Sequence, residues 1–295
     1  MRVLEAIQAA APSLSFEFYP PQGPDATARM LRRAERLDRL APDFVAVTYG
    51  AGGRGAAGQA ASVEAAAALR SVTRAALVAH LTLVGQSVQE LSDAVRRLTA
   101  AGAEAFMALR GDPPGGPAAP WVADGALTYA SELVALIREI SDAPIGVAAF
   151  PLGHPTARSL EHDAAVLALK QAAGADFAVT QVMFDAEDYS RLVARAQRAG
   201  ATLPLVPGVI PITATASVAR LELLSGAPLP AALADQLARA EDGAAREAVG
   251  VAWSVALGRA LLERGAPGIH LYTLNTTAAA EQVCRELGLG GAARV

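Results

Sequence analysis

The stretch Leu14-Ser15-Phe16-Glu17-Phe18-Tyr19-Pro20-Pro21 decides how the chain is read, because it sets one carboxylate in an aromatic, strand-like run and then ends that run. Aromatic and apolar residues favour extended backbone, and proline cannot donate to a strand ladder, so a strand has to stop at Tyr19. Period-two alternation turns Leu14, Phe16 and Phe18 to one face, suited to packing under helices, and Ser15, Glu17 and Tyr19 to the other. An ionised glutamate among aromatics is costly to bury. Glu17 is therefore expected either to find a partner or to have a raised pKa and keep its proton, as a general acid requires. Alone, the stretch is better read as an edge strand with a water-facing glutamate, and the rest of the chain decides.

Downstream the pattern repeats. Alternating apolar strands are predicted over Asp43–Tyr49, Ala76–Leu83, Ala105–Arg110, Ile145–Phe150, Asp176–Met183, Leu203–Ile210 and Ile269–Thr273. Helical periodicity falls between them, over Ala26–Leu40, Gln59–Arg74, Ser87–Ala101, Ala126–Ser141, Leu160–Ala173, Ala186–Ala199, Thr215–Leu224 and Ala244–Arg264, with a last helix over Ala278–Leu287. Eight strand-helix units in 295 residues predict an α/β fold, a (β/α)8 TIM barrel with extra helices, as a single domain over residues 1–295.

The rival is a doubly wound open sheet, supported by Gly50-Ala51-Gly52-Gly53-Arg54-Gly55, which matches a dinucleotide fingerprint. No acidic residue ends the next strand to anchor a ribose, since Val78-Ala79-His80 stands there, so this loop reads as a connection. Gly111-Asp112-Pro113-Pro114-Gly115-Gly116-Pro117 reads as a mobile loop over the mouth.

A net charge of −4 with scattered arginines excludes an evident nucleic-acid or membrane surface and points to small-molecule partners. No apolar run reaches the length of a signal peptide core or a membrane span, so a cytoplasmic location is expected. The one cysteine, Cys284, excludes an internal disulfide and a cysteine metal cluster. Four scattered histidines without metal-ligand spacing predict no metal. Lys170 is the only lysine and Asn275 the only asparagine, which marks both for specific tasks. Alanine-rich helix faces suit a homo-oligomer contact and ordinary core equally well.

Polar residues recur at predicted strand ends: Glu17, Thr48, His80, Arg110 with Asp112, His154, Gln181, and Tyr272 with Asn275. In a barrel these converge on one mouth, where such folds place their chemistry. Singly, each has a plainer reading. His80 and His270 read as packed core histidines, Arg110 and Asp112 as a mutual ion pair, and His162 and Asp163 as the polar start of a helix. No nucleophile elbow is present. Together the acid, arginine, amide and histidines suit a planar polyanionic cofactor beside a polar substrate.

Those residues, with Phe16-Glu17-Phe18-Tyr19-Pro20-Pro21, Val47-Thr48-Tyr49-Gly50, His80-Leu81-Thr82, Ala108-Leu109-Arg110-Gly111-Asp112-Pro113, Thr180-Gln181, Phe184-Asp185, Pro207-Gly208-Val209-Ile210-Pro211 and Tyr272-Thr273-Leu274-Asn275, resemble the short bacterial 5,10-methylenetetrahydrofolate reductases, from about Ser13 to Leu287. The resemblance implies an oxidoreductase that uses FAD and a reduced nicotinamide, NADH or NADPH, to make 5-methyltetrahydrofolate, in one-carbon metabolism and methionine supply. It implies Glu17 as the acid, Asp112 as the residue tuning flavin and pterin, and Gln181 as a pterin-orienting amide. It assigns Thr48, His80, Arg110, Gly111, Ala148, Phe150, His154, Asp163 and Lys170 to FAD and Leu221 to the substrate side. Phe150 and Leu152 stand where tyrosine and glutamate are usual, and Val166 and Leu169 replace polar contacts, which predicts weaker flavin binding. The same departures suit a second reading, a non-catalytic flavin- or folate-binding subunit of a partner complex, against which the retention of Glu17, Asp112 and Gln181 argues.

Overall fold

The computed structural model describes residues 2–49, 55–113, 127–213 and 218–290. Its strands are β1 (Ser13–Phe18), β2 (Phe44–Val47), β3 (Ala76–Thr82), β4 (Ala105–Leu109), β5 (Ile145–Ala149), β6 (Phe177–Thr180), β7 (Leu205–Val206), β8 (Gly208–Val209) and β9 (Gly268–Tyr272). All pair in parallel in the order β7-β6-β5-β4-β3-β2-β1-β9-β8. Pro207, without an N–H, breaks the seventh strand into β7 and β8, expected from the sequence as one continuous strand. β7 pairs with β6 and β8 with β9, so the two halves of this broken strand nearly close the barrel. The barrel expectation holds, and the doubly wound sheet does not.

Period-two alternation divides every strand between two cores. Leu14, Phe16 and Phe18 face outward with Val45, Leu77 and Phe106 under the helices. Phe44, Ala46, Val78, Met107, Phe177 and Val179 face the lumen. Each fully buried Phe contributes about 1.5–3 kcal/mol relative to exposure. A helix absent from the sequence reading, α1 (Arg2–Ile7), inserts Val3 and Ile7 into the lumen cluster and plugs one end of the barrel. Arg2 ties it down, donating from Nε to Glu104 Oε2 at 3.0 Å.

The wrapping helices are α2 (Pro24–Asp38), α3 (Gly55–Arg70), α4 (Val88–Ala100), α5 (Ala130–Ile140), α6 (Leu160–Ala172), α7 (Ala186–Arg198), α8 (Val218–Ser225), α9 (Ala231–Arg239), α10 (Gly243–Glu263) and α11 (Ala278–Leu287). Several start where a side chain satisfies their free N–H groups. Ser87 and Glu90 form a capping box at α4, and Ser159 Oγ accepts from His162 N at 3.1 Å at α6. The cap of α6 is thus Ser159, with His162 and Asp163 in its first turn. The helix α9 was not foreseen. Residues 50–54 and 114–117 of the two glycine-containing loops, with Ala126 and Thr215 at expected helix starts, lie outside the described residues.

Candidate active site

A cavity of ≈ 630 Å³ opens at the C-terminal ends of the strands and reaches down to Phe44 and Met107 in the lumen. Such a volume suits a small-molecule site. Glu17, Thr48, His80, Gln181 and Tyr272, read from sequence at strand ends, all line it, together with Ala148 and Phe150, which the resemblance assigned to the cofactor. Tyr272 crosses the mouth to donate its hydroxyl to Thr180 O at 2.7 Å. Gly208 makes room for that crossing, since a Cβ there would lie 2.4 Å from the Tyr272 ring.

Glu17 projects inward because β1 pairs it beside Ala46 on one side and Tyr272 on the other. Its backbone is fixed from β9: Thr273 Oγ1 donates to Glu17 O at 2.7 Å. One residue beyond β1, the Asn275 amide brackets Tyr19, accepting from its N–H at 3.1 Å and donating to its carbonyl at 3.0 Å. Leu274 and Asn275 both adopt left-handed backbone to do this, at φ 48° and 54°. Asparagine is among the few residues that tolerate that region, which gives the sole asparagine its task.

Two imidazoles flank the carboxylate. His80 Nε2 lies 3.5 Å and His270 Nε2 3.8 Å from Glu17 Oε2. Burial pushes the Glu17 carboxyl upward, but hydrogen bonding to His270 and the charges of the imidazoles outweigh it, leaving it below its ordinary 4.5. Of the two fates expected for Glu17, the partner is the one found, and the raised pKa is not. The reason is neighbours that an isolated strand cannot reveal. Burial holds His80 below its ordinary 6.5, with Glu17 opposing, so it is a neutral neighbour at pH 7. Burial, with Glu17 nearby, also lifts the Tyr272 phenol well above 10. His270, read as packed, does stack on Phe44 at 6.0 Å, yet it lines the cavity as well. The alternation of His270 with Tyr272 on β9 was the available signal.

A second group lies at the β5 end. The Phe150 ring meets His154 edge-on at 4.8 Å. Burial lowers the His154 imidazole, the cations of Arg110 and Lys170 lower it further, and Asp112 opposes them, which puts these four groups in one electrostatic neighbourhood. Lys170 Nζ donates to Ala148 O at 2.9 Å, and burial pulls its ammonium down to about 8 against the attraction of Asp163. The Asp163 carboxyl is in turn raised by burial. Gly111, two residues after β4, takes φ +81°.

Gln181 Oε1 accepts from Val182 N at 2.9 Å, which leaves the amide NH2 as the group on offer in the cavity. Leu221 is not brought there. It is 1% exposed, packed with Val182, Ile210 and Leu233 in a cluster of its own. Asp112 is exposed beside the mouth. Among the described residues no group of three or more His, Cys, Asp or Glu side chains is placed to hold a metal ion, and no helix is long and apolar enough to cross a membrane.

The family profile described as methylenetetrahydrofolate reductase matches residues 2–288. The chain belongs to the methylenetetrahydrofolate reductase family. Among the relatives of this reductase family, the 5,10-methylenetetrahydrofolate reductase of Escherichia coli (strain K12) is 33% identical over 278 residues, covering 94% of this chain and 91% of that protein. Methylenetetrahydrofolate reductase (NADH) 1 of Arabidopsis thaliana is 30% identical over 98% of this chain and 51% of its own length. A solved structure, an uncharacterized protein from Clostridium thermocellum that binds two copies of 5-methyl-5,6,7,8-tetrahydrofolic acid, superposes with a TM-score of 0.66 at 13% identity, covering 97% of this chain and 98% of that one. The last likeness is one of fold.

Proposed function

We propose that this member of the reductase family converts 5,10-methylenetetrahydrofolate to 5-methyltetrahydrofolate, with NADH or NADPH as electron source and FAD as carrier. The observation that supports this most is Glu17, a carboxyl group held in the wall of a ligand-sized cavity opposite the Gln181 amide. Reduction consumes one hydride and one proton: a C–N bond of the folate's five-membered ring opens as its nitrogen takes a proton, and the resulting iminium carbon accepts the hydride.

Glu17 is the proton donor in this reading, and its NH2 donor places Gln181 on the pterin. Exclusion of water when substrate fills the cavity strengthens both contacts. Asp112, beside the mouth, is assigned to tuning flavin and pterin.

The residues on the β5 side fit FAD. Thr48 Oγ1 is buried in the cavity wall with no hydrogen-bond partner among the described residues, a vacancy for a polar ligand atom. Arg110 and Lys170 form a positive neighbourhood beside the neutral His154 imidazole, suited to a pyrophosphate. Thr48, His80, Arg110, Gly111, Ala148, His154, Asp163 and Lys170 would hold the group, and a bound flavin supplies the two-electron transfer between nicotinamide and folate. Phe150 meets His154 in a T-shaped contact and brings no hydroxyl, which supports weak flavin retention.

Glu17→Gln tests the reading. The variant is expected to lose folate reduction while nicotinamide still reduces added flavin on the protein. Loss of both half-reactions would refute the role given to Glu17.

A further inference from the structure

Behind Glu17, on the side away from solvent, lies a second polar pair that the proposed reaction has not yet used. Ser15 is fully buried and His270 is 2% exposed. Strand register brings them together, since Ser15 pairs with His270 just as Glu17 pairs with Tyr272. Ser15 Oγ lies 2.8 Å from His270 Nδ1, and its hydroxyl donates toward Ile269 O at 3.5 Å. With the hydroxyl proton turned to that carbonyl, Ser15 Oγ offers a lone pair, so Nδ1 carries the hydrogen. The other nitrogen, Nε2, is then the one left facing Glu17 Oε2. The ring is held flat against Phe44, 18° from parallel, and edge-on to Tyr272 at 5.1 Å, so it cannot turn away.

We propose that Ser15 and His270 are positioning residues that keep one exchangeable proton on the axis between His270 Nε2 and Glu17 Oε2, making the pair, not Glu17 alone, the proton store of the site. With the proton on Nε2, Glu17 is an ionised carboxylate facing an imidazolium. With the proton on Oε2, Glu17 is a neutral acid hydrogen-bonded to a bare Nε2. When Glu17 protonates the folate nitrogen, the shared proton crosses to the carboxyl and leaves through it. The pair ends one proton poorer, with His270 neutral and protonated only on Nδ1 and Glu17 an ionised carboxylate, and solvent restores the proton after product leaves. Other titratable groups face this axis. His80 lies on the opposite side of the same carboxylate oxygen and is neutral at pH 7, and Tyr272 keeps its phenolic proton. The low resting pKa of Glu17 and its role as an acid are thereby compatible.

This inference rests on the proposed reductase reading for its catalytic meaning, but its first test does not. In full-length protein with labelled histidine nitrogens and no substrate, nitrogen NMR at pH 7 is expected to show His270 with Nδ1 protonated and the Nε2 signal displaced toward a shared proton. Ser15→Ala is expected to collapse that pattern. In steady-state reduction of methylenetetrahydrofolate, the same variant should lower kcat about tenfold, less than loss of the acid itself. It should also move the alkaline limb of the pH profile, where the pair loses its proton, with KM little altered. A His270 signal with Nδ1 bare and Nε2 protonated would overturn the proposal, as would a Ser15→Ala pH profile that superposes on the parent. Protein that shows the shared proton but does not reduce folate keeps the pair and sinks the reductase reading, so the two failures are separable.

Discussion

Thr273 Oγ1 donates to the carbonyl of Glu17 at 2.7 Å and accepts from the Asn275 N–H at 3.1 Å, so one hydroxyl joins the end of β9 to the backbone of the acid. Thr273→Val keeps the shape and removes both bonds in a site 2% exposed. A loss of about 1–3 kcal/mol in unfolding free energy is expected from the stranded groups, read as a lower urea midpoint at unchanged slope, with Thr273→Ser restoring most of it. A midpoint unmoved in the valine variant would remove Thr273 from the support of Glu17.

Gly208 sits where the Tyr272 ring and Thr180 O converge, each 2.4 Å from the place a Cβ would occupy. Gly208→Ala must displace the ring or the strand and break the Tyr272 to Thr180 bond. Overpacking of this kind costs about 1–3 kcal/mol. Thermal unfolding should show the loss, and ultraviolet difference spectra should show the tyrosine in a changed environment.

Acid sensitivity separates two groups near Glu17. Folded His80 holds its proton less well than an unfolded histidine near 6.5, so the unfolded chain takes up more protons as pH falls below that value, and stability declines there. The Glu17 carboxyl acts in the same sense in a lower pH window. Its depressed pKa gives stability that is present above 4.5 and is lost as pH falls through the folded value. Urea midpoints between pH 8 and 5 should therefore fall less steeply in His80→Gln than in the parent, and parallel curves would contradict a neutral His80.

Lys170 gives a signal at alkaline pH. Its ammonium ionises at about 8 when folded and 10.5 when unfolded, so the unfolded chain binds more protons between these values and the parent gains stability as pH rises through them. Lys170→Met lacks this gain. The variant should be the more stable of the two below pH 8, with the difference shrinking toward pH 10.5. FAD, by placing negative charge beside the ammonium, should narrow the difference at neutral pH.

Much of this was legible in the sequence. The aromatic run ended by Pro20 and Pro21 gave β1 and the inward direction of Glu17, because alternation is a local property of extended backbone. The convergence of Thr48, His80, Gln181 and Tyr272 followed from barrel geometry once the repeat was counted, whereas Ala148 and Phe150 were placed only by the resemblance. What escaped depends on contacts distant in sequence. His270 reaches Glu17 only through the β1 and β9 register, and nothing near either residue in the chain announces the other. Six residues of α1 have too short a period to read, and their role as a plug appears only when the lumen they fill exists. Leu221, assigned to the substrate side only by the resemblance, packs from α8 into an apolar cluster with Val182 and Ile210. The expected rise in the Glu17 pKa failed for the same reason as His270 was missed: burial was foreseen and the imidazoles were not.

The central claim is that this barrel transfers a hydride and a proton to methylenetetrahydrofolate. The direct measurement is an anaerobic incubation of flavin-replete protein with carbon-labelled 5,10-methylenetetrahydrofolate and excess NADH, repeated with NADPH, followed by mass spectrometry of the folates. The account predicts labelled 5-methyltetrahydrofolate formed in equal amount to the nicotinamide oxidised, with either donor sufficient. Protein that retains its flavin, binds the folate and produces no methyl product with either donor would contradict it.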